Sequence, residues 1–303
     1  MKIIIDTDPG VDDAMAVFYA ALVPEIELLG LTSVFGNVTV DIATRNALRL
    51  LEMAGVDASV AHGAAKALER PYNPPSSHVH GAEGFGDIPA ATPKASALSE
   101  PADAFLCRMA REHKGELVVC AVGPITNVAN AIKLDPEFAT NVKKIVFMGG
   151  AANVPGNISE YAEANTFNDP HALNVVINSG APTLMVGLDI TMQTLIKSED
   201  FVALAKASPY LGGFLQEASH FYLDFYKNFV KVDGCGLHDP TAVIAATHPE
   251  FFEIESLAIK VAEEGDEIGR TYYSDDAGQP KIDVCVGGDI DVIKNKFFAA
   301  FGA

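Results

Sequence analysis

Short apolar runs alternating with longer helical stretches constrain this chain more than any other feature of its sequence. Ile3-Ile4-Ile5, 26–35 (IELLGLTSVF), 117–122, 142–148 and 183–188 are too apolar to leave a face in water and read as buried strands. Residues 12–21, 41–54, 126–133 and 171–178 between them have helical composition or spacing, with Gly55 closing the second. Parallel strands joined by helices need right-handed crossovers, so the pattern predicts an α/β fold with a mostly parallel central sheet and helices on both faces. A helical stretch over 210–229 and another after Asp239 follow. The segments 254–261, 271–274 and 282–286 alternate with Glu264-Gly265-Asp266 and Asp276-Ala277-Gly278, which predicts an antiparallel meander at the sheet edge. No Pro/Ser linker interrupts the 303 residues, so a single domain over 1–303 with a mixed-edge sheet is expected. The Pro-, Ser-, Gly- and His-rich stretch 70–94 is too long for a connector and reads as an active-site loop or lid.

The chain carries 40 acidic and 21 basic residues, a net charge of −19. A nucleic-acid or anionic-membrane binder needs the opposite field, so cations and uncharged small molecules are the expected partners. Cys107, Cys120, Cys235 and Cys285 show no metal-ligand spacing and read as buried thiols of a cytoplasmic protein. The N-terminus opens directly as a strand without leader-like composition, and no apolar run reaches ~18 residues.

Asp6, Asp8, Asp12 and Asp13 fall within eight residues, where the first strand gives way to a helix. In open α/β sheets ligands bind beyond the carboxyl ends of strands. Four like charges so close together repel unless a counter-charge joins them, and an all-oxygen set favours a hard divalent cation such as calcium. The plainer alternative is that Asp12 and Asp13 favour the helix dipole while Asp6 and Asp8 form turns. Similarly, His238-Asp239-Pro240 offers a further hard ligand and a group able to titrate near neutrality, or simply an N-cap with proline at the first helical position. A third group runs from Gly149-Gly150 through Pro155-Gly156-Asn157 to Glu160-Tyr161-Ala162-Glu163-Ala164-Asn165 and Asn168-Asp169. Its amides and carboxylates suit a polyhydroxylated ligand, or a solvated loop.

Asp6-Thr7-Asp8-Pro9-Gly10-Val11-Asp12-Asp13-Ala14 resembles the D-x-D-P-G-x-D-D-A signature of the nucleoside hydrolases of the inosine-uridine preferring type. Phe35-Gly36-Asn37, His80-Gly81, Val122-Gly123-Pro124-Ile125-Thr126-Asn127, Met148-Gly149-Gly150, Gly156-Asn157, Ala162-Glu163-Ala164-Asn165 and His238-Asp239-Pro240 continue the resemblance in family order, over roughly 1–245. The resemblance implies calcium-dependent hydrolysis of the N-glycosidic bond of ribonucleosides, within nucleoside catabolism and salvage, by a homodimer or homotetramer. It places calcium on the carboxylates of Asp8, Asp13 and Asp239 and the Val122 carbonyl. Asp8 would activate the metal-held water, and His238 would be the leaving-group acid. Asp12, Asn37, Asn165 and Asp239 would hold the 2′- and 3′-hydroxyls, Asn157 and Glu163 the 5′ side, and His80 would approach the base. An oxocarbenium-like transition state explains the anionic oxygens around the sugar.

The chain has no tryptophan, so the base stack of the family's purine-selective members is not available to it. Tyr222, Phe225, Tyr226 and Phe229 at helical spacing offer an aromatic wall instead, with Phe225 and Phe229 the better candidates for core packing. This favours a pyrimidine or broad inosine-uridine preference. The rival readings are a DxD-type metal-dependent phosphatase, which Pro9-Gly10 and the Asp12-Asp13 pair fit poorly, and a non-catalytic calcium- and nucleoside-binding protein.

Overall fold

Strand β1 (Lys2–Thr7) sends Ile3 and Ile5 into the core on one face of a sheet and Ile4 into the core on the other, as a strand buried on both sides must. The computed structural model describes every residue except Tyr72. β2 (Glu27–Ser33), β3 (Ser59–Ala61), β4 (Leu117–Ala121), β5 (Lys144–Met148) and β6 (Thr183–Val186) pair in parallel around β1. After the small ribbon of β7 (Leu195–Ile196) and β8 (Cys235–Gly236) come β9 (Phe252–Val261), β10 (Thr271–Tyr273) and β11 (Lys281–Gly288). The nine-stranded sheet has the order β10-β9-β11-β6-β5-β4-β1-β2-β3. Helices Val11–Leu22, Val40–Ala54, Leu211–Phe225, His238–Thr247 and Ile290–Ala300 cover the face of Ile3 and Ile5; Ala102–Glu112, Thr126–Leu134 and Pro170–Ile177 cover that of Ile4.

The predicted strands and helices of the parallel part are all present, with ends shifted by a few residues. The predicted meander is not formed. β9 lies between β10 and β11 and is antiparallel to both, while β11 pairs in parallel with β6 through Asp283 opposite Leu184 and Val284 opposite Met185. The buried slot beside β6 takes the last strand, whose Ile282, Val284 and Cys285 are apolar enough to fill it. β3, Ala102–Glu112, Ser198–Ala207 and Ile290–Ala300 are elements beyond those expected. All four cysteines are free and buried. Among the described residues no helix is long and apolar enough to cross a membrane.

Chain order positions the site. From β1 the chain moves outward to β2 and β3, then returns to β4 on the opposite side of β1. The crossovers on either side of that reversal diverge and leave a crevice beyond the carboxyl ends of β1 and β4. The stretch 70–94 behaves as two pieces. Its short helix Ser77–His80 lines that crevice, whereas its far end is pinned to the helix Val40–Ala54, where Arg49 donates to the Pro89 carbonyl and Lys94 N–H to Glu52.

Candidate active site

A cavity of about 540 Å³ opens at this crevice, with acidic side chains on its floor and aromatic ones on the wall facing them. The floor begins where β1 ends and the helix Val11–Leu22 starts. Asp13 occupies the third helical position and closes the helix as a cap: its Oδ2 accepts from Gly10 N–H at 2.9 Å and Asn37 Nδ2 at 3.1 Å, its Oδ1 from Thr7 Oγ1 at 2.5 Å and Asp8 N–H at 3.2 Å. The capping alternative is therefore real for Asp13. Asp12 shares that first turn without closing the cap.

Asp12 is buried with Oδ2 accepting from the Tyr222 hydroxyl at 3.2 Å and Oδ1 without a partner. Asp239 is not the N-cap expected of a residue before proline. The helix begins two residues before Pro240, at His238, and the Asp239 carboxylate turns to the floor. One oxygen each of Asp12, Asp13 and Asp239 lie within 4.8 Å of one another. Asp8 stands outside that trio. Its Oδ2 accepts from Asn37 N–H at 2.6 Å and its Oδ1 is buried without a partner. A Cβ on Gly123 would come within 2.5 Å of Oδ1, and one on Gly36 would overlap Oδ2, so two glycine-bearing loops clamp the Asp8 carboxylate.

Burial comes first in raising every one of these carboxyls, and mutual repulsion adds to it at Asp8, Asp13 and Asp239. Asp12 is pushed up to about 6. Unpartnered anionic oxygens at this depth are costly unless a cation neutralises them, and a hard-oxygen set of this composition fits a divalent ion. Asp6, the remaining acid of the signature, points to the opposite face of β1. There its Oδ1 accepts from Thr32 Oγ1 at 2.5 Å and Asn127 Nδ2 at 2.7 Å, and burial pushes it up to about 7.

The rest of the floor comes from β4 and β5. The Val122 carbonyl accepts from Asn165 Nδ2 at 2.8 Å, which also donates to the Met148 carbonyl at 3.1 Å. Glu163 caps the short helix Ala164–Asn168, accepting from the backbone N–H of Gly150, Asn165 and Thr166, and burial raises it to about 7. Asn157 Oδ1 accepts from Ala164 N–H at 2.9 Å. Asn37, Asn157, Glu163 and Asn165 all line the cavity.

The wall stands on the helix Leu211–Phe225, which runs on into a π-helical turn, Tyr226–Val230, and is stopped by Lys231 in a left-handed conformation. Here the expectation is reversed. Tyr222 and Tyr226 are 2% and 5% exposed, whereas Phe229 is 75% exposed and stacks on half-buried Phe225 at the cavity mouth. The hydroxyls explain this order: each tyrosine is buried because it has a polar partner, Asp12 for one and His238 for the other. His80 stacks on Tyr222 with ring centroids 5.0 Å apart, and its Nδ1 accepts from Val11 N–H at 3.2 Å. His238 Nε2 lies 2.6 Å from Tyr226 Oη and Nδ1 lies 2.8 Å from Thr191 Oγ1. Burial, with His80 nearby, pushes His238 down to about 4, and burial does the same to His80. Both rings are neutral at pH 7.

The structure thus brings Asp12, Asn37, His80, Val122, Asn157, Glu163, Asn165, Tyr222, Tyr226, His238 and Asp239 to the lining of one cavity, with Asp13 against Asp12 and Asp239 and Asp8 buried behind Asn37, while Asp6 points away. It adds Thr191, His78 and Met192, none of which lies in a motif that announces its place, and gives Gly36 and Gly123, quoted above only as parts of motifs, a place against Asp8. Among the described residues that line the cavity, none is Lys or Arg.

A family model described as inosine-uridine preferring nucleoside hydrolase matches residues 3–295. Uridine nucleosidase 1 of Arabidopsis thaliana is 41% identical over 271 residues, 89% of this chain and 81% of that one. Among solved structures, a plant nucleoside hydrolase, the PpNRh1 enzyme, superposes with a TM-score of 0.94 at 35% identity over 100% of this chain and 99% of its own. A purine-preferring ribonucleoside hydrolase from Gardnerella vaginalis gives 0.95 at 34% identity over 99% and 98%.

Proposed function

The chain belongs to the inosine-uridine preferring nucleoside hydrolase family and is a hydrolase of N-glycosyl bonds, and on that premise we propose how it works: calcium-dependent attack of water on the ribosyl carbon, with Asp8 as base. The observation that carries this reading is the convergence of buried carboxylates, with unpartnered oxygens on Asp8 and Asp12, at the end of a cavity that Asp12 and Asp239 line. Asp8, Asp13 and Asp239 would hold the ion together with the Val122 carbonyl, which keeps a second lone pair beyond the one given to Asn165. When bound, calcium neutralises these carboxylates, acidifies water and orients the sugar hydroxyls. Asp8, fixed between Gly36 and Gly123, takes the proton from the attacking water. Asp12, Asn37, Asn165 and Asp239 hold the 2′- and 3′-hydroxyls, and Asn157 and Glu163 the 5′ side, so anionic oxygen surrounds a sugar that becomes cationic only in the transition state. Attack without a covalent sugar intermediate inverts the anomeric centre.

At the other end of the cavity the neutral state of His238 moves the leaving-group role outward. A neutral imidazole is a poor acid, but its Nε2–H can donate to the Tyr226 oxygen and polarise that hydroxyl toward the departing base. His80, with Nδ1 already accepting from Val11, presents its own Nε2–H. These donors suit the carbonyl oxygens of a pyrimidine or of hypoxanthine, which supports an inosine-uridine range, and the uridine nucleosidase name of the Arabidopsis relative agrees. The absence of Lys and Arg from the described lining disfavours a phosphorylated substrate and the phosphatase reading. The proposal includes assembly as a homodimer or homotetramer, readable by sedimentation. It also includes a cytoplasmic place in purine and pyrimidine salvage, which four free buried thiols fit. Reducing-sugar release from inosine, uridine, cytidine and adenosine, with and without chelation, tests the whole. Release from uridine and inosine that is lost on chelation and restored by calcium is expected; undiminished release from exhaustively chelated enzyme overturns it.

A further inference from the structure

We infer that Asn46 is a positioning residue that fixes the base side of the cavity to its sugar side, by bridging the turn that follows Asp8 to the turn that follows His80. This rests on the reading of His80 as a base contact just given. Asn46 stands on the helix Val40–Ala54, does not line the cavity, belongs to none of the motifs quoted above, and is fully buried. Its Nδ2 donates to the Glu83 carbonyl at 2.8 Å and to the Pro9 carbonyl at 3.2 Å, while its Oδ1 accepts from Arg45 Nη2 at 2.9 Å and Nε at 3.2 Å. A carbonyl can only accept and a guanidinium can only donate, so the partners fix which way the amide faces. Arg45 Nη2 is itself 3.5 Å from the Glu83 carbonyl, too far to take the place of the amide.

The Pro9–Gly10 peptide is thereby held at both ends, its carbonyl by Asn46 and its N–H by Asp13. Against it the turn 80–86 packs without a gap. A Cβ on Gly84, at φ +91°, would come 2.5 Å from the Pro9 carbonyl oxygen, and one on Gly10 would come 2.6 Å from His80 Nδ1. Two buried carbonyls that converge on one point each need a donor, and the Asn46 amide has two protons to give. The other anchors of the turn, Phe85 on the Phe214 ring and Glu83 paired with Arg45, tie it to helices rather than to Pro9. Without the amide, Gly10 N–H keeps its bond to Asp13 and Asn37 N–H keeps its bond to Asp8, so the sugar floor stands while the His80 turn comes loose.

The test compares Asn46→Ala, which removes the bridge, with Asn46→Asp, which keeps its shape, cannot donate when ionised and has Arg45 as counter-charge, and runs His80→Ala beside them. Each is assayed with uridine and for inhibition by free ribose, which lacks a base. Both Asn46 variants are expected to raise KM for uridine by roughly 10-fold, the worth of one hydrogen bond to the base, with kcat nearly unchanged and ribose inhibition within about twofold of the unaltered enzyme. Hydrogen exchange reads the geometry apart from turnover. In both variants the amides of Val11 and Gly86, which donate to His80, should exchange faster, while those of Gly10 and Asn37 should not. Loss of ribose inhibition along with uridine binding, an unchanged KM for uridine, or equal acceleration at all four amides would overturn the inference. If His80→Ala leaves KM for uridine unchanged, the base-contact reading falls and takes this inference with it; if His80→Ala raises it and the Asn46 variants do not, only this inference falls. Should neither Asn46 variant fold, the side-chain amide protons of Asn46 in the unaltered enzyme decide: protection from exchange supports the bridge, and exchange at the rate of a free amide sinks it.

Discussion

The floor and the wall of the cavity are built by opposite means. On the floor, three of the acids are set by backbone: Asp13 by the N–H groups of Asp8 and Gly10, Asp8 by that of Asn37, Glu163 by three more, all from loops at the carboxyl ends of central strands. On the wall, a helix and its π-helical continuation present side chains that hold one another, tyrosine to tyrosine to histidine, and end in an exposed phenylalanine at the mouth. Backbone-held carboxylates on a buried sheet cannot move without unpicking strands; a helix face can exchange side chains at the cost of local repacking. The parts that act on the common sugar thus sit on the least adjustable scaffold, and those that meet the variable base sit on the most adjustable.

Breaking the floor should cost most. Asp8→Asn keeps the shape and one acceptor but cannot take a proton, and a fall in kcat of ~10³-fold or more is expected with the fold retained by circular dichroism. Near-normal turnover would remove Asp8 from the role of base and make the clamp around it structural. The wall should fail selectively: His238→Ala is expected to slow uridine by ~10²-fold and an aryl riboside far less. A uniform loss would show that wall and floor act as one unit. Phe229→Ala, at the exposed end of the wall, is expected to raise KM for uridine by roughly 3–10-fold, the effect of losing about 1 kcal/mol of aromatic contact, with kcat held. A fall in kcat instead would place Phe229 in the chemistry.

The smallest expected effect concerns stability. Asp12 at about 6, with Asp6 and Glu163 at about 7, lie above the ordinary carboxyl range of the unfolded chain. Between about pH 4 and 7 the folded metal-free protein therefore binds more protons than the unfolded chain, and its stability falls as pH rises through that window. Metal-free protein should melt a few degrees higher at roughly pH 5 than at pH 8, and calcium should raise Tm more at pH 8. Equal calcium shifts at both would show that the floor carboxylates do not carry the linkage.

Much of this arrangement is legible in the chain itself. Asp6 to Ala14 places acids at a strand-to-helix junction, and the run Ile3-Ile4-Ile5 before it demands burial on both faces, so location and donor chemistry follow from local order. The edge is less legible: β11, between β6 and β9, competes for a slot that only the assembled sheet creates. The wall misleads for a related reason. Helical spacing marks Tyr222, Phe225, Tyr226 and Phe229 as one face, and hydrophobicity alone would bury the phenylalanines. Hydrogen bonds to Asp12 and His238, 210 and 12 positions away, bury the tyrosines in their place.

By itself, then, the sequence determined the alternating strands, the family and the cluster of hard oxygen donors, because each depends on residues close together in the chain. Tertiary structure alone decided that Asp12 joins Asp13 and Asp239 while Asp8 stands apart between two glycines. It also decided that His238 is neutral and that Thr191 reaches its far side. Charge state and hydrogen-bond partners are set by burial and by neighbours from distant segments, which no local pattern encodes.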